Sequence, residues 1–434
     1  MGLMLCHLAI SMTDVWTAGK LGAETQAAVG VVTHIFALLM LLTSLAASGC
    51  MATISQSLGA GLPLRAKRYA GLIVMLSAGM GTFVAAFALL FEPFLFRAMG
   101  ISAEVRPALS VFFTAYCCQL PFYYVLIMLN SVFRAHKKVL FPLLTLLLMT
   151  LANLFGDLGF GLGAFGLPSF GAAGIAWTTF ACSLLGLASN AALARGYGLL
   201  ERKTFAPWRW NRRAMPYLFK VGAPAAAGHI VTHLGSLTTL AIIGLLPDST
   251  SALAGMSVGG RVHAMLMFPL GALNMSMVIL SGHLLGGGER NVLYAFGRRS
   301  AFRLGLALVP PALLLWLLRE PAAAFFSDDP AVLAQASLFL CFACASSPLT
   351  GMTGMLNAVF SGAGATALSC RINAVTCWFI GIPLSLLLGL TLNMGTAGVY
   401  AAGATGQLGA FLWTLRLFHG KKWLEYGLRK RQTA

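Results

Sequence analysis

Long apolar stretches follow one another along the whole chain, separated by short segments that carry glycine, proline or charge. A helix that crosses the hydrocarbon core of a bilayer needs about 20 predominantly apolar residues. We count twelve candidate stretches, at residues 1–18, 28–57, 70–95, 107–132, 139–162, 171–194, 217–246, 252–285, 296–318, 332–358, 367–391 and 397–418. The pattern predicts an all-α integral membrane protein with twelve transmembrane helices and short connecting loops.

Composition excludes several classes of protein. Hydrophobic residues make up 58% of the 434 residues and charged residues only 9%, whereas a soluble domain carries about 25% charged residues. A soluble enzyme, a secreted disulfide scaffold and a disordered chain are therefore excluded. The nine cysteines lie mostly inside apolar stretches, and we interpret the single CxxC motif, Cys341 and Cys344, as small-residue helix packing rather than a metal site.

The formal net charge of +17 is distributed unevenly along the chain. If the loop after the second stretch is cytoplasmic, most lysines and arginines fall in cytoplasmic loops, as the positive-inside rule requires. The exceptions are Lys20, Arg97, Arg106 and Arg319 in outside segments, and Arg261 within a stretch. We therefore expect both termini in the cytoplasm, a multi-pass protein of the plasma (inner) membrane, and no nucleic-acid partner.

The first apolar stretch is the shortest of the set. Only 13 residues precede Asp14, so we expect a first helix that is short or truncated. It also lacks a basic segment ahead of its apolar residues, which argues against a cleavable signal peptide.

Two segments recur at one offset. The letters MLNSVF at 128–133 return as MLNAVF at 355–360, and LGAG at 58–61 returns as LGGG at 285–288, both 227 residues later. A duplicated unit of six helices predicts two lobes with pseudo-two-fold symmetry about an axis along the membrane normal. We assign the N-lobe to residues 1–194, a basic cytoplasmic linker to 195–216, the C-lobe to 217–418 and a basic cytoplasmic tail to 419–434.

Acidic residues are rare at membrane depth, where they are costly and usually functional. Asp14 and Asp157 are the main candidates, and Asn153 precedes Asp157 by four residues, which places both on one helix face. A carboxylate beside a carboxamide offers oxygen ligands for Na⁺ and a titratable group for H⁺. Thr178 and Thr179 on the next stretch could add a hydroxyl oxygen. The alternative is that the acids are solvated helix ends.

Other polar residues fall within the apolar stretches. His229 and His233 are spaced i, i+4 on one face, and they either handle protons or line a polar cavity. Asn130, Arg261 and Asn357 are further candidates for a substrate cavity. We expect no metal site here, because a histidine pair needs additional ligands.

The duplicated lobes favour a secondary transporter, since such lobes rock around a central cavity. No GxxxxGK[ST] motif is present in the sequence, so no ATP-driven motor is indicated. A lipid-linked precursor flippase is the nearest alternative. A membrane enzyme and a passive channel are alternatives from other classes, and we do not expect an enzyme.

Several motifs resemble those of the MATE (multidrug and toxic compound extrusion) family. They are Asp14 followed by GKLG at 19–22 and AAVG at 27–30, QSLGAG at 56–61, the segment from Leu129 to Arg134, and Asn153 and Asp157 followed by GAAGIAWTT at 171–179. Together they span essentially the whole chain, and the acid set resembles the DinF-like branch, within the MOP flippase superfamily.

The resemblance implies an antiporter that expels cationic, often aromatic drugs while H⁺ or Na⁺ enters. It implies that Asp14, Asn153, Asp157 and Thr178 or Thr179 bind the coupling ion in the N-lobe, with no tightly bound cofactor and a monomeric state in the bilayer. The chain departs from the family in two places. It lacks a proline expected upstream of Asp14, and residues 224–233 contain no acid where one branch carries a carboxylate.

Overall fold

The computed structural model describes residues 2–428, except for the side chains of residues 2–5, 7–9 and 11. Within these limits the chain is helical and contains no strand, which confirms the predicted all-α class. Ten helices of this range are long and apolar enough to cross a membrane. The α-helices are α1 (Gly2–Leu21), α2 (Ala23–Leu41), α3 (Thr43–Gly59), α4 (Pro63–Ala98), α5 (Arg106–Ala135), α6 (Leu140–Gly156), α7 (Gly171–Gly196), α8 (Trp208–Gly244), α9 (Ser249–Gly287), α10 (Arg290–Leu317), α11 (Arg319–Ala324), α12 (Pro330–Ala363), α13 (Thr366–Ala374), α14 (Ile382–Leu386) and α15 (Gly395–His419).

Three π-helical segments interrupt or extend this series, at Asp157–Gly161, Val375–Gly381 and Leu387–Thr391. The first α-helix runs for 20 residues and holds Asp14 in its second half. Neither α1 nor α15 is among these ten helices, although they have 20 and 25 residues, because glycines and polar side chains lower their mean hydropathy.

The predicted stretch 28–57 is not one continuous helix. It divides at Leu42 into α2 and α3. The Thr43 hydroxyl donates to the carbonyl of Met40 at 2.7 Å, and the Ser44 hydroxyl donates to the carbonyl of Leu41 at 2.6 Å. Such local side-chain bonds compete with the helical ladder. Counting apolar residues does not register this competition, so the sequence analysis missed the break.

The chain divides into two compact units. Of the described residues, the first contains 2–54 and 62–219, and the second contains 55–61 and 220–428. The last turns of α3 therefore group with the second unit. The lobe and linker boundaries given above remain predictions.

The basic segment between α7 and α8 is shorter than expected, since α8 begins at Trp208. Before it, Glu201 and Thr204 form a reciprocal capping box around a single 3₁₀ turn. Lys67 Nζ lies 2.8 Å from Glu201 Oε1, and this hydrogen bond lowers the pKa of the exposed Glu201 carboxyl. A Cβ at Gly71 of α4 would overlap the backbone of Thr204, so the segment lies directly against α4.

Within the second unit, the end of α3 crosses the end of α9 at backbone contact. A Cβ added to Gly59 would overlap the backbone of His283, and one added to Gly286 would overlap the backbone of Gln56. The 227-residue offset found in the sequence relates Gly59 to Gly286 and Gln56 to His283, so each contact is the counterpart of the other. Reciprocal contacts of this kind are what two-fold symmetry produces at its axis.

The chain after α15 folds back onto the second unit. Trp423 is fully buried, and its indole Nε1 donates to the carbonyl of Phe418 at 2.9 Å. Leu428 N donates to Gln56 Oε1 at 2.8 Å, while Gln56 Nε2 donates to the carbonyl of Gly362 at 2.8 Å. The first part of the predicted tail 419–434 is therefore folded, and residues 429–434 lie outside the described range.

We predict that Gly286→Ala destabilises the protein, because overpacking at a tight contact costs about 1–3 kcal/mol. Gly260→Ala is the matched control on the same helix, since no atom lies near its added Cβ. That change should stabilise by up to about 1 kcal/mol through helix propensity. Thermal unfolding of the purified protein in one detergent would test the pair, and equal melting temperatures for both variants would contradict the close crossing.

Candidate cation-binding site

The end of α6 brings two polar side chains into the interior of the first unit. Asn153 lies in the last turn of α6, and Asp157 begins the π-helical segment that follows. Both are buried, with exposed fractions of 1% and 0%. Single π turns inside or at the end of α-helices recur at functional sites, because the wider turn re-aims side chains.

Asp14 of α1 meets this pair. It is 5% exposed, and its carboxyl group interacts with the side chains of Asp157 and Asn153. The hydroxyl of Tyr116, on α5, donates to Asp14 Oδ2 at 3.4 Å. The fold thus joins three residues that the sequence predicted as a set, from two separate helices, and adds a tyrosine.

The oxygens of this cluster are poorly satisfied. Four buried oxygens receive no hydrogen bond from any group that the structure describes, and they are Asp14 Oδ1, Asn153 Oδ1 and both carboxyl oxygens of Asp157. Two carboxylates in contact and out of water cannot both stay ionised without compensation. Oxygen-rich clusters of this kind suit a hard cation, and a shared proton would serve equally. The residues present therefore fit either H⁺ or Na⁺.

A cavity of about 130 Å³ adjoins the cluster, and we call it the carboxylate cavity. Its lining includes Asp14, Asn153 and Thr179 from the predicted set. Asn153 Nδ2 donates to Thr179 Oγ1 at 3.4 Å. The remaining lining residues are Ile10, Thr33, Phe36, Tyr116, Gln119, Tyr123, Leu146, Met149, Cys182 and Ser183.

Thr178 and Thr179 do not act together. Thr178 faces away from the carboxylate cavity and its side chain abuts Gly156, where a Cβ would overlap it. Adjacent residues on a helix point about 100° apart, so only one of the two can face Asn153. The structure brings Thr179 to the cluster and places Thr178 elsewhere.

The sequence analysis missed the contribution of α5. Tyr116, Gln119 and Tyr123 line the carboxylate cavity, and Ser183 donates to Gln119 Oε1 at 2.9 Å. The signal was available, since these three polar or half-polar residues recur at spacings of three and four within an apolar stretch. That spacing defines one helix face.

The two predicted asparagines are placed away from the carboxylates. Asn190 Nδ2 donates to Asn130 Oδ1 at 2.6 Å, which ties α7 to α5 in the first unit. In the second unit the hydroxyl of Ser369 donates to Asn357 Oδ1 at 2.9 Å and ties α13 to α12. Both asparagines therefore fasten helices in equivalent positions of the repeat.

The predicted basic residues of the second unit are exposed. His229 and His233 lie on α8 and Arg261 lies on α9. Among the side chains that the structure describes, no group of three or more His, Cys, Asp or Glu could hold a metal ion. Roles for His229, His233 and Arg261 in substrate binding or proton handling remain predictions.

Comparison with known proteins places the chain among transporters. The MatE family model matches residues 1–158 and 224–387. The uncharacterized transporter YisQ of Bacillus subtilis is 23% identical over 97% of this chain and 92% of its own length. The multidrug resistance protein PmpM of Pseudomonas aeruginosa is 31% identical over 53% of this chain and 48% of its own length.

A solved structure shares the fold. The Vibrio cholerae MATE transporter VcmN, in its bent form, superposes with a TM-score of 0.87 over 98% of this chain and 96% of its own, at 20% identity. Such transporters have twelve helices in two lobes, which confirms the predicted architecture.

We predict that the pair Asp14–Asp157 holds a proton when no other cation is supplied, because no group in the described part of the chain donates to either carboxyl oxygen of Asp157. Difference infrared spectra recorded in Na⁺-free buffer at neutral pH should contain a protonated-carboxyl band. The band should disappear in Asp157→Asn and in Asp14→Asn. A wild-type spectrum with only ionised carboxylates under these conditions would contradict the shared proton.

Proposed function

Because this chain belongs to the MatE family, we propose that it is a secondary antiporter that exports cationic, amphipathic compounds in exchange for H⁺ or Na⁺. The chain is a multi-pass membrane protein, and members of the family are membrane transporters rather than enzymes. We further propose that both termini are cytoplasmic and that the protein acts as a monomer.

The observation that supports this function is the cluster of unpartnered oxygens in the first unit. Such a cluster must bind a positive charge to be stable in a low-dielectric interior. A site that can accept a proton, Na⁺ or the charged group of a substrate can exchange one for another. Binding of the coupling ion would disfavour the substrate-bound state, and its release would restore that state.

We place ion coupling in the first unit alone. Helices α8, α9, α10, α12 and α15 contain no aspartate or glutamate. This distribution, together with Asp14, Asn153 and Asp157, supports assignment to the DinF-like branch. The multidrug name of PmpM supports a small organic substrate, and a negative site supports one with positive charge.

The decisive test is counter-transport of ethidium in proteoliposomes, driven first by a pH gradient and then by a Na⁺ gradient. We predict that Asp14→Asn and Asp157→Asn each reduce gradient-driven movement to the level of protein-free liposomes. The gradient that is effective in the wild type identifies the coupling ion.

Glu92→Gln is the matched control, because Glu92 is a carboxylate of the same unit that is already satisfied by the Ser110 hydroxyl at 2.6 Å. It should leave transport unchanged. Normal exchange in either aspartate variant would refute the proposed coupling. Absence of movement in folded wild-type protein would instead favour the flippase alternative.

The two threonines provide a second, finer test. We predict that Thr179→Val weakens the apparent affinity for the coupling ion by about fivefold, since one polar contact is worth about 1 kcal/mol. Thr178→Val should have no such effect, because Thr178 faces away from the cavity. Transport measured against coupling-ion concentration would separate the two variants, and equal effects would contradict the observed orientation.

A further inference from the structure

A second recess lies in the first unit between α6, its π-helical extension and α7. It has a volume of about 530 Å³, and we call it the side groove. Aromatic rings line it: Phe160, Phe170 and Trp177 are 40%, 60% and 45% exposed. Small residues line the groove at Ala152, Gly156, Gly174 and Ala181, and the two glycines let α6 and its π-helical extension approach α7 closely. The groove opens on an exposed apolar surface of the unit, which we infer to face lipid.

The side groove and the carboxylate cavity share a wall that is one side chain thick. Cys182 lines both recesses. On α7, Thr178 faces the groove and Thr179 faces the cavity. On α6, Ala152 faces the groove and Asn153 faces the cavity. The same two helices thus present an aromatic face to the bilayer and a negative, oxygen-rich face directly behind it.

We propose that the side groove binds the apolar, aromatic part of an organic cation dissolved in the bilayer, next to the carboxylates that compensate its charge. This inference rests on the proposed function and names where its substrate meets the first unit. The occupant is a hydrophobic cation with delocalised charge, such as a tetraarylphosphonium or an aromatic quaternary ammonium ion.

The side groove favours a cation over a lipid tail on energetic grounds. An acyl chain gains little by leaving lipid for an apolar groove, because lipid tails are as apolar as leucine. A cation in the same low-dielectric place is attracted by a negative cluster behind the wall and by aromatic ring faces. Phe160 and Phe170 stack with ring centroids 6.4 Å apart and form such a surface.

The test is equilibrium binding of tetraphenylphosphonium to the full-length protein in phosphatidylcholine nanodiscs. Ala181→Phe fills the groove from an exposed position and should weaken binding by about tenfold, equivalent to about 1.4 kcal/mol. Ala192→Phe is the matched control, on the exposed side of the same helix three turns away and outside the groove. Its affinity should stay within about twofold of wild type.

Trp177→Ala provides a second variant that removes an aromatic wall without adding bulk. It should also weaken binding, and melting temperature and size-exclusion profile establish that each variant folds. Unchanged affinity in both Ala181→Phe and Trp177→Ala would overturn the proposal. A second experiment uses a phosphatidylcholine with a photoreactive acyl chain. If this lipid labels residues 152–185 equally with and without saturating tetraphenylphosphonium, lipid is the occupant and the proposal is overturned.

The result is separable from the antiport proposal. If ethidium exchange is lost in Asp157→Asn while the groove variants bind tetraphenylphosphonium with unchanged affinity, the antiport proposal is supported and the groove site is refuted. If the groove variants weaken tetraphenylphosphonium binding while neither gradient drives ethidium exchange, the groove site is supported and the coupling mechanism is refuted.

Discussion

Two aspartates that touch each other inside a membrane protein impose the constraint on which this site depends. Asp14 and Asp157 are buried, and among the described residues three of their four carboxyl oxygens find no donor. A structure can tolerate this only if a positive charge is bound in at least part of its working cycle. The surrounding features are consistent with that demand. Tyr116 donates to one oxygen, a π turn directs Asp157 inward, and Asn153 and Thr179 add oxygens without adding charge.

The sequence predicted this fold well where the bilayer sets the rule and less well where local bonding does. Helix number and placement follow from the length of apolar stretches, because every backbone group in lipid must be bonded within a helix. The break at Leu42 lies beside the hydroxyl bonds of Thr43 and Ser44, which apolar length does not reveal. The rotation of each helix about its own axis was equally hard to predict from the sequence. A helix that is apolar on all sides has no periodic signal to show that Thr179, and not Thr178, faces the acids.

The two copies of the repeat share their glycine contacts but not their acidic residues. Gly59 and Gly286, related by 227 residues, both permit backbone contact at the crossing of α3 and α9. At the same offset, Asp14, Asn153 and Asp157 correspond to Ala241, Ile380 and Leu384. The glycines are constrained because any side chain would separate the helices, and that constraint applies to both copies. The acidic residues of the candidate cation site, in contrast, occur in one copy, and the corresponding positions of the other copy are apolar.

If the proposed side groove holds an organic cation, the aspartate pair behind its wall attracts that cation through a low-dielectric interior, where charges interact more strongly than in water. With one shared proton the aspartate pair keeps one negative charge, so a second proton or a Na⁺ ion bound there would cancel the attraction and let the organic cation leave. Loss of that ion would restore the attraction. Because linkage is reciprocal, a cation held in the groove would lower the affinity of the aspartates for their ion by the same factor.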